Sequence, residues 1–397
     1  MSILDFFRPP TMARYARLLQ GKLSELGDVR PWQFDALEER LFLPSTASGK
    51  PEGVINLATM YAEYLAASRS QRRSMLHATA MVQLQAHLPD SYADARPHLL
   101  PAVRPAAERG LQALQLDDDE DAAFRALGAD LEISLVYDTE YAMARLSAQH
   151  LADWGVDFDT AYQDALLNLR ARSTQPLEDM GGVFRSPYED CHDAARILLT
   201  DMLHRLPLRG APVVMIPNRS VLLVTGDQNE AALLPLVEAA ANILQQPRPL
   251  SPLLLRLGPQ GWAAWQPPSC VAALQLLRVG SEAQDYAAQK QLLEQKFERE
   301  GTDVFVASYS AVRDAQGEVF SYCSWAEGVH SLLPQTDRIA FKRSDDRLVM
   351  VPWAQVVADA GTMLCPGTYA PARFEVAAFP SAALLARWSE LHHDAVV

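Results

Sequence analysis

Apolar positions near the start of the chain recur at helical spacing. Tyr15, Leu18, Leu19, Leu23 and Leu26 share one face of a segment closed by Gly27, which predicts a helix. Residues 40–44 and 53–57 flank a loop of Ser, Thr, Gly, Lys and Pro, which is hairpin chemistry. Met60, Tyr61, Tyr64 and Leu65 begin a second helix, and Met75, Leu76, Thr79, Val82 and Leu84 follow the same period in a third. Residues 131–137 alternate like a half-buried strand and stop at Asp138. Met143, Leu146, His150 and Trp154 then form a helical stripe ending at Gly155, after which Asp157 or Asp159 caps a helix carrying Phe158, Tyr162, Leu166 and Leu169. A further helix is predicted over residues 189–204. It leads into the clearest hairpin of the chain, residues 213–216 and 221–224 around the turn Pro217, Asn218, Arg219, Ser220. The next helix runs through Leu233, Leu236, Val237 and Ile243, with Pro235 bending its first turns.

Residues 246–252 hold three prolines and no periodicity, and so read as a linker between a module of residues 1–247 and one of residues 250–397. In the second module, residues 253–257 pair with 262–265, 304–309 with 318–325, and 339–343 with 347–351, each across turn chemistry. Helices over 282–299, 354–360 and 382–391 would cover one face of the resulting antiparallel sheet. The predicted fold class is α+β in both modules. A hairpin feeding a helix recurs near 40–66, 213–244 and 339–360, which is either a diverged repeat or a common way of burying a sheet face.

Composition narrows the functional classes. The 397 residues carry 49 Asp and Glu against 35 Lys and Arg, a formal charge of −14 that repels phosphate backbones and anionic membranes. Arg69, Arg72 and Arg73 form a local basic cluster that reads as a solvated helix edge. The acidic run 117–121 is either an exposed boundary or a carboxylate-rich helix start. Cys191, Cys270, Cys323 and Cys365 are widely spaced and read as reduced, mostly buried thiols, not as a zinc or redox motif. The first seven residues have no basic region, and no stretch approaches a membrane span, so a cytoplasmic protein without a cleaved leader is expected.

Several stretches taken in order resemble a known family. They are Ile55, Asn56 and Leu57 with Met60, Tyr61 and Tyr64; Leu100, Pro101, Ala102, Val103 and Arg104; the strand 131–137 with Asp138; residues 165–169, reading A-L-L-N-L; and Ile216, Pro217, Asn218 and Arg219 with the apolar strand after them. Over residues 12–245 the chain resembles the DUF1444, or UPF0354, proteins of bacteria. The resemblance implies a fold group and no reaction, since that family's function is unassigned in its name. Ser220 stands where the resemblance leads one to expect an acidic residue.

Three groups of residues carry candidate chemistry. On the helix predicted over 189–204, Glu189, His192, Asp193 and Arg196 would share a face, where an imidazole between carboxylates could act as a general base or a metal ligand. The same spacing also describes a salt-bridged, solvated surface. Asn218 and Arg219 occupy a tight turn in which Arg219 could present its donors to a carboxylate or phosphate, unless Asn218 serves only the backbone. Arg104 invites the same two readings. Trp325 and His330, with Ser324, Glu327 and Gly328 and followed by Pro334 and Asp337, crowd one connection between strands, where an exposed Trp325 would mark a partner-binding surface.

Phosphate-binding, dinucleotide, zinc-protease, nucleophile-elbow and EF-hand motifs are all missing from the sequence. The expectation is a non-catalytic interaction or regulatory protein with a protein partner, using no cofactor, metal, nucleic acid or membrane. The alternative is a hydrolase or metal-assisted enzyme built on Glu189, His192 and Asp193.

Overall fold

A computed structural model describes residues 10–44, 53–85, 88–116, 123–140, 142–246, 249–343 and 348–391. The N-terminal residues 1–7, the acidic run 117–121, the loop of the first predicted hairpin and Arg347 lie outside the described residues. Helices combine with sheets whose strands pair mostly antiparallel, an α+β architecture. The chain divides into two compact units. Met1–Leu100, Val136–Leu146 and Trp154–Val156 make one, and Pro101–Leu135, Ser147–Asp153 and Asp157–Val397 make the other.

In the first unit, strands Gln33–Asp35, Arg40–Leu43 and Gly53–Asn56 form an antiparallel meander, with helices Met12–Glu25, Ala58–Ala66 and Gln71–Gln85. Thr11 caps the first helix by accepting from the Arg14 amide at 3.3 Å. Its apolar stripe, Tyr15, Leu19 and Leu23, packs with Leu41, Ile55 and Leu57 as the periodicity predicts. Arg72, from the basic cluster, is spent inside this unit: its Nε and Nη2 donate to the carbonyls of Tyr64 and Leu65 at 2.9 Å each.

The second unit contains a six-stranded sheet from Glu178 to Ala264 in which Pro212–Asn218 and Val221–Gly226 are central. Both faces are covered. Val214, Ile216, Leu222 and Val224 bury against Ile197, Leu203 and Leu255. Val213, Met215 and Leu223 bury against Leu233, Leu236 and Val237 of the helix Glu230–Leu244. The prolines of residues 246–252 do not separate two sheets, because Val213 pairs with Arg256 and Val214 with Leu255 across that stretch. The Leu250 and Ser251 amides also donate to the carbonyls of Pro217 and Ile216. Strands on either side of this stretch therefore belong to one sheet.

Two four-stranded sheets follow. One runs Ser310–Arg313, Val319–Ala326, Arg338–Lys342, Leu348–Pro352, and the other Phe305–Val306, Ser331–Pro334, Arg373–Val376, Cys365–Pro366. Most pairs are antiparallel, but Val319–Ala326 meets Arg338–Lys342 in parallel, as Phe305–Val306 meets Ser331–Pro334. The strand expected at 304–309 thus splits: residues 305–306 enter one sheet, and it is Ser310–Arg313 that completes the hairpin with Val319–Ala326.

Three other expectations change. Residues 131–136 are buried throughout instead of alternating, and Glu132 enters the interior because Arg109 grips both its carboxylate oxygens at 2.7 and 2.9 Å. Met143–Arg145 is a strand pairing with residues 136–138, and the helical stripe shrinks to Ala148–Asp153. Residues 189–193 are not helical, and only Ala194–Leu198 and Thr200–His204 make short helical turns. The hairpin-then-helix succession is present at all three expected places.

Candidate functional site

The helix Val271–Glu300 organises the second unit's main concavity. It is longer than the pattern from residue 282 predicts, and Gly301 ends it at φ 66°, where the Thr302 amide reaches back to the Phe297 carbonyl at 2.9 Å. Gln275, Arg278, Glu282, Asp285, Tyr286 and Gln289 repeat at three- and four-residue intervals and so lie along one side. On a solvent-facing helix they would be ordinary surface pairs. Here this side is turned inward, and Tyr286 and Gln289 are buried.

The first tier of this stripe is a charge network. Arg278 Nη1 donates to Glu282 Oε2 at 2.7 Å, while Nη2 donates to Asp337 Oδ1 at 2.6 Å and Gln275 Oε1 at 3.0 Å. Asp337 Oδ2 also accepts from the Ser321 amide at 2.8 Å, the Ser321 hydroxyl at 2.9 Å and Gln275 Nε2 at 3.1 Å. The Tyr309 hydroxyl donates to Glu282 at 2.7 Å, and its ring stacks on Tyr286 at 5.1 Å. Burial acts to lower the pKa of Arg278, but Glu282 and Asp337 outweigh it and hold the guanidinium charged. Burial pushes both phenols above their ordinary range.

The second tier is a clamp around Arg373, which is fully buried. Its Nε donates to Gln289 Oε1 at 2.6 Å, Nη1 to the carbonyls of Ala307 at 2.9 Å and Leu332 at 3.1 Å, and Nη2 to the Tyr286 carbonyl at 3.3 Å. Burial lowers Arg373 to about 10, which still leaves it protonated at neutral pH. Gln289 Nε2 and the Tyr286 hydroxyl in turn hold the carbonyls of Pro371 and Ala372 at 2.7 and 2.8 Å. From the other side, Gly110 lets a helix approach the same segment. A Cβ at residue 110 would lie 2.0 Å from the Ala370 carbonyl oxygen.

These elements enclose a cavity of about 410 Å³, within the range of small-molecule pockets. Arg278, Glu282, Asp285 and Asp337 supply its charged wall, and Leu131, Pro252 and Leu253 belong to its apolar wall. Asp285 stands apart from the network. Burial, and then the Glu282 charge one turn earlier, raise its carboxyl to about 6. Among the described residues none gives it a hydrogen bond or an ion pair.

Apart from Asp337, the candidate site residues singled out from sequence lie elsewhere. Glu189 adopts φ 51° and pairs with Arg185 at 3.1 Å on the surface, whereas His192, Asp193 and Arg196 are buried. Glu189, His192 and Asp193 therefore do not share a helix face. Local hydrogen bonds displace the helix: Asp190 Oδ1 accepts from the His192 amide at 3.0 Å, and Asp193 accepts from the Asp190 amide at 3.2 Å and from the Ser186 hydroxyl. Arg196 grips Asp190 at 2.8 and 2.9 Å and lies over the Tyr188 ring at 3.6 Å. Burial raises Asp193, while for Asp190 the Arg196 bonds outweigh burial and lower it. Among the described residues, no group of three or more His, Cys, Asp and Glu side chains is placed to hold a metal ion.

Asn218 serves its turn, since its Oδ1 accepts from the Ser220 amide at 2.9 Å, and the Arg219 carbonyl takes the Ala194 amide at 3.1 Å. Arg104 pairs with Glu108 at 2.6 Å. Trp325 is a correction: it is buried on a strand, with its ring centroid 5.3 Å from that of Phe341, and presents no anchor to a partner. His330 contacts Glu375 at 2.6 Å on the surface, away from Trp325's core. Of the four cysteines, Cys270 and Cys323 are buried, and Cys191 and Cys365 are exposed.

Sequence reasoning missed Arg278, Asp285 and Tyr309, and it set Asp337 with Trp325 and His330 instead of with Arg278. The available signal was the polar stripe from Gln275 to Gln289 at three- and four-residue intervals. Comparisons with protein-family models, with curated proteins and with solved structures find no match for this chain.

Proposed function

We propose that this protein binds a small molecule in the cavity of its second unit. The observation that carries the reading is the cavity's partly buried Asp285 carboxyl, raised to about 6 and lacking a hydrogen-bond donor among the described residues. A perturbed acid in a concave, mostly preformed site is the physical mark of a ligand or substrate contact. Its surroundings are rigid, because Asp337, Glu282 and the 370–372 segment are each tied down by several hydrogen bonds.

A thermal-shift screen of small metabolites tests it. A compound near a hundredfold above its Kd stabilises the native state by about 2.7 kcal/mol, a shift of several degrees. The stabilisation should vanish in Ser281→Trp, which fills the cavity from the helix, and in Ala107→Phe, which fills it from another element. Far-UV circular dichroism and the unliganded melting curve establish that each variant is folded. Failure of every compound to stabilise the wild type, or equal stabilisation of the folded filled variants, overturns the proposal.

A further inference from the structure

Charge and hydrogen bonding in the cavity wall are both unbalanced, and in the same direction. Four carboxylates, the exposed Asp130 with Glu282, Asp285 and Asp337, line the cavity beside one guanidinium, that of Arg278. Three of the five N–H donors of Arg278, on both terminal nitrogens, are already committed to Glu282, Asp337 and Gln275, which leaves few for an incoming anion. Asp337 Oδ2 accepts three hydrogen bonds, and Glu282 Oε2 accepts two. Asp285 accepts none from the described residues. A buried carboxylate gains most from a partner that brings opposite charge and N–H donors together.

We infer that the cavity takes an organic cation, an alkyl ammonium or alkyl guanidinium, whose charge is met by Asp285 and whose hydrocarbon part lies along Leu131, Pro252 and Leu253. The inference rests on the ligand-binding reading above and adds the chemical class. A neutral polyol would leave Asp285 without a counter-charge. An anion would meet an excess of carboxylates beside a single guanidinium whose charge Glu282 and Asp337 already share. A compact metal ion would leave the apolar wall unused.

Calorimetric titration with a matched five-carbon series separates these cases: cadaverine, 1,5-pentanediol and glutarate share a chain and differ in end-group charge. Agmatine adds a guanidinium. At neutral pH at least one of the two cations should bind more than about tenfold tighter than the diol and the diacid. Asp285→Asn should lower that cation's affinity by at least about tenfold while the variant's melting curve shows it folded. Asp285→Glu, which keeps the charge, should retain more of the affinity than Asp285→Asn. Binding of pentanediol or glutarate as tight as that of the cations, and abolished by Ser281→Trp, overturns the cation assignment and leaves the cavity reading standing. Absence of binding by both cations also overturns it, with the metabolite screen deciding the cavity reading separately. Cation binding unchanged in both Asp285→Asn and Ser281→Trp places the cation elsewhere and overturns the inference.

Discussion

Asp285 is an acid whose native environment favours the proton. Its carboxyl sits at about 6 against an ordinary value of 3.8, through burial first and the Glu282 charge second. The other charged groups in its cavity, Arg278, Asp337 and the exposed Asp130, come from its own helix and from two other segments. Because the folded-state pKa is raised, ionising Asp285 costs stability in the native state. The cost is absent below about pH 4, where both states are protonated, develops up to about pH 6, and is constant above. Asp285→Asn, neutral at every pH, should therefore be more stable than the wild type by about 1–3 kcal/mol at about pH 8, after allowance for partial solvent access, and match it near pH 4. Urea unfolding across that range measures this. An advantage independent of pH would show that ionisation is not the source. Trp325 teaches the opposite lesson at the same scale: a large aromatic in a polar loop sequence is a core residue once its strand pairs on both sides.

At the scale of elements, the helix Val271–Glu300 and the strand Arg373–Val376 are joined by a charge to which no carboxylate among the described residues is hydrogen-bonded. Arg373 replaces hydration with Gln289 and three backbone carbonyls, from Tyr286, Ala307 and Leu332. The planar fork of a guanidinium can serve acceptors spread over several directions, whereas an ammonium on a single stem cannot. Arg373→Lys keeps the positive charge yet strands several buried acceptors, and should cost about 2–4 kcal/mol in chemical denaturation. A loss under about 0.5 kcal/mol, the level of ordinary surface substitutions, would mean that the carbonyls find other donors. The same clamp fixes the 370–372 wall of the cavity, so Arg373 positions the site without facing its ligand.

For the whole molecule, charge is the property that acts at a distance. A formal −14 over 397 residues sets the sign of its long-range field. That sum already counts the basic cluster, whose Arg72 has its donors committed to backbone carbonyls and lies over the Tyr64 ring. The protein should bind an anion exchanger and pass through immobilised heparin or duplex DNA at about 0.1 M salt. Retention on heparin would reveal a basic surface that the net charge conceals. No helix among the described residues is long and apolar enough to cross a membrane.

Much of the architecture is written locally. Helical stripes such as Tyr15, Leu19 and Leu23, the hairpin around Asn218 and the cap at Asp157 depend on neighbours a few residues away, so the sequence alone determines them. Class and charge follow in the same way. Local rules fail where short-range and long-range partners compete. Residues 189–193 carry helical spacing, yet Asp190 and Asp193 turn their carboxylates onto nearby amides and Arg196, and the helix is lost. The cavity lies further beyond local reading. Arg278, Glu282 and Asp285 look like any solvated i, i+3 and i, i+4 series until Asp337 and Tyr309, 59 and 27 residues from their partners, close over them. Only the tertiary structure decides which charged stripe is partly withdrawn from water, because dehydration depends on what packs above a side chain and not on what precedes it in the chain.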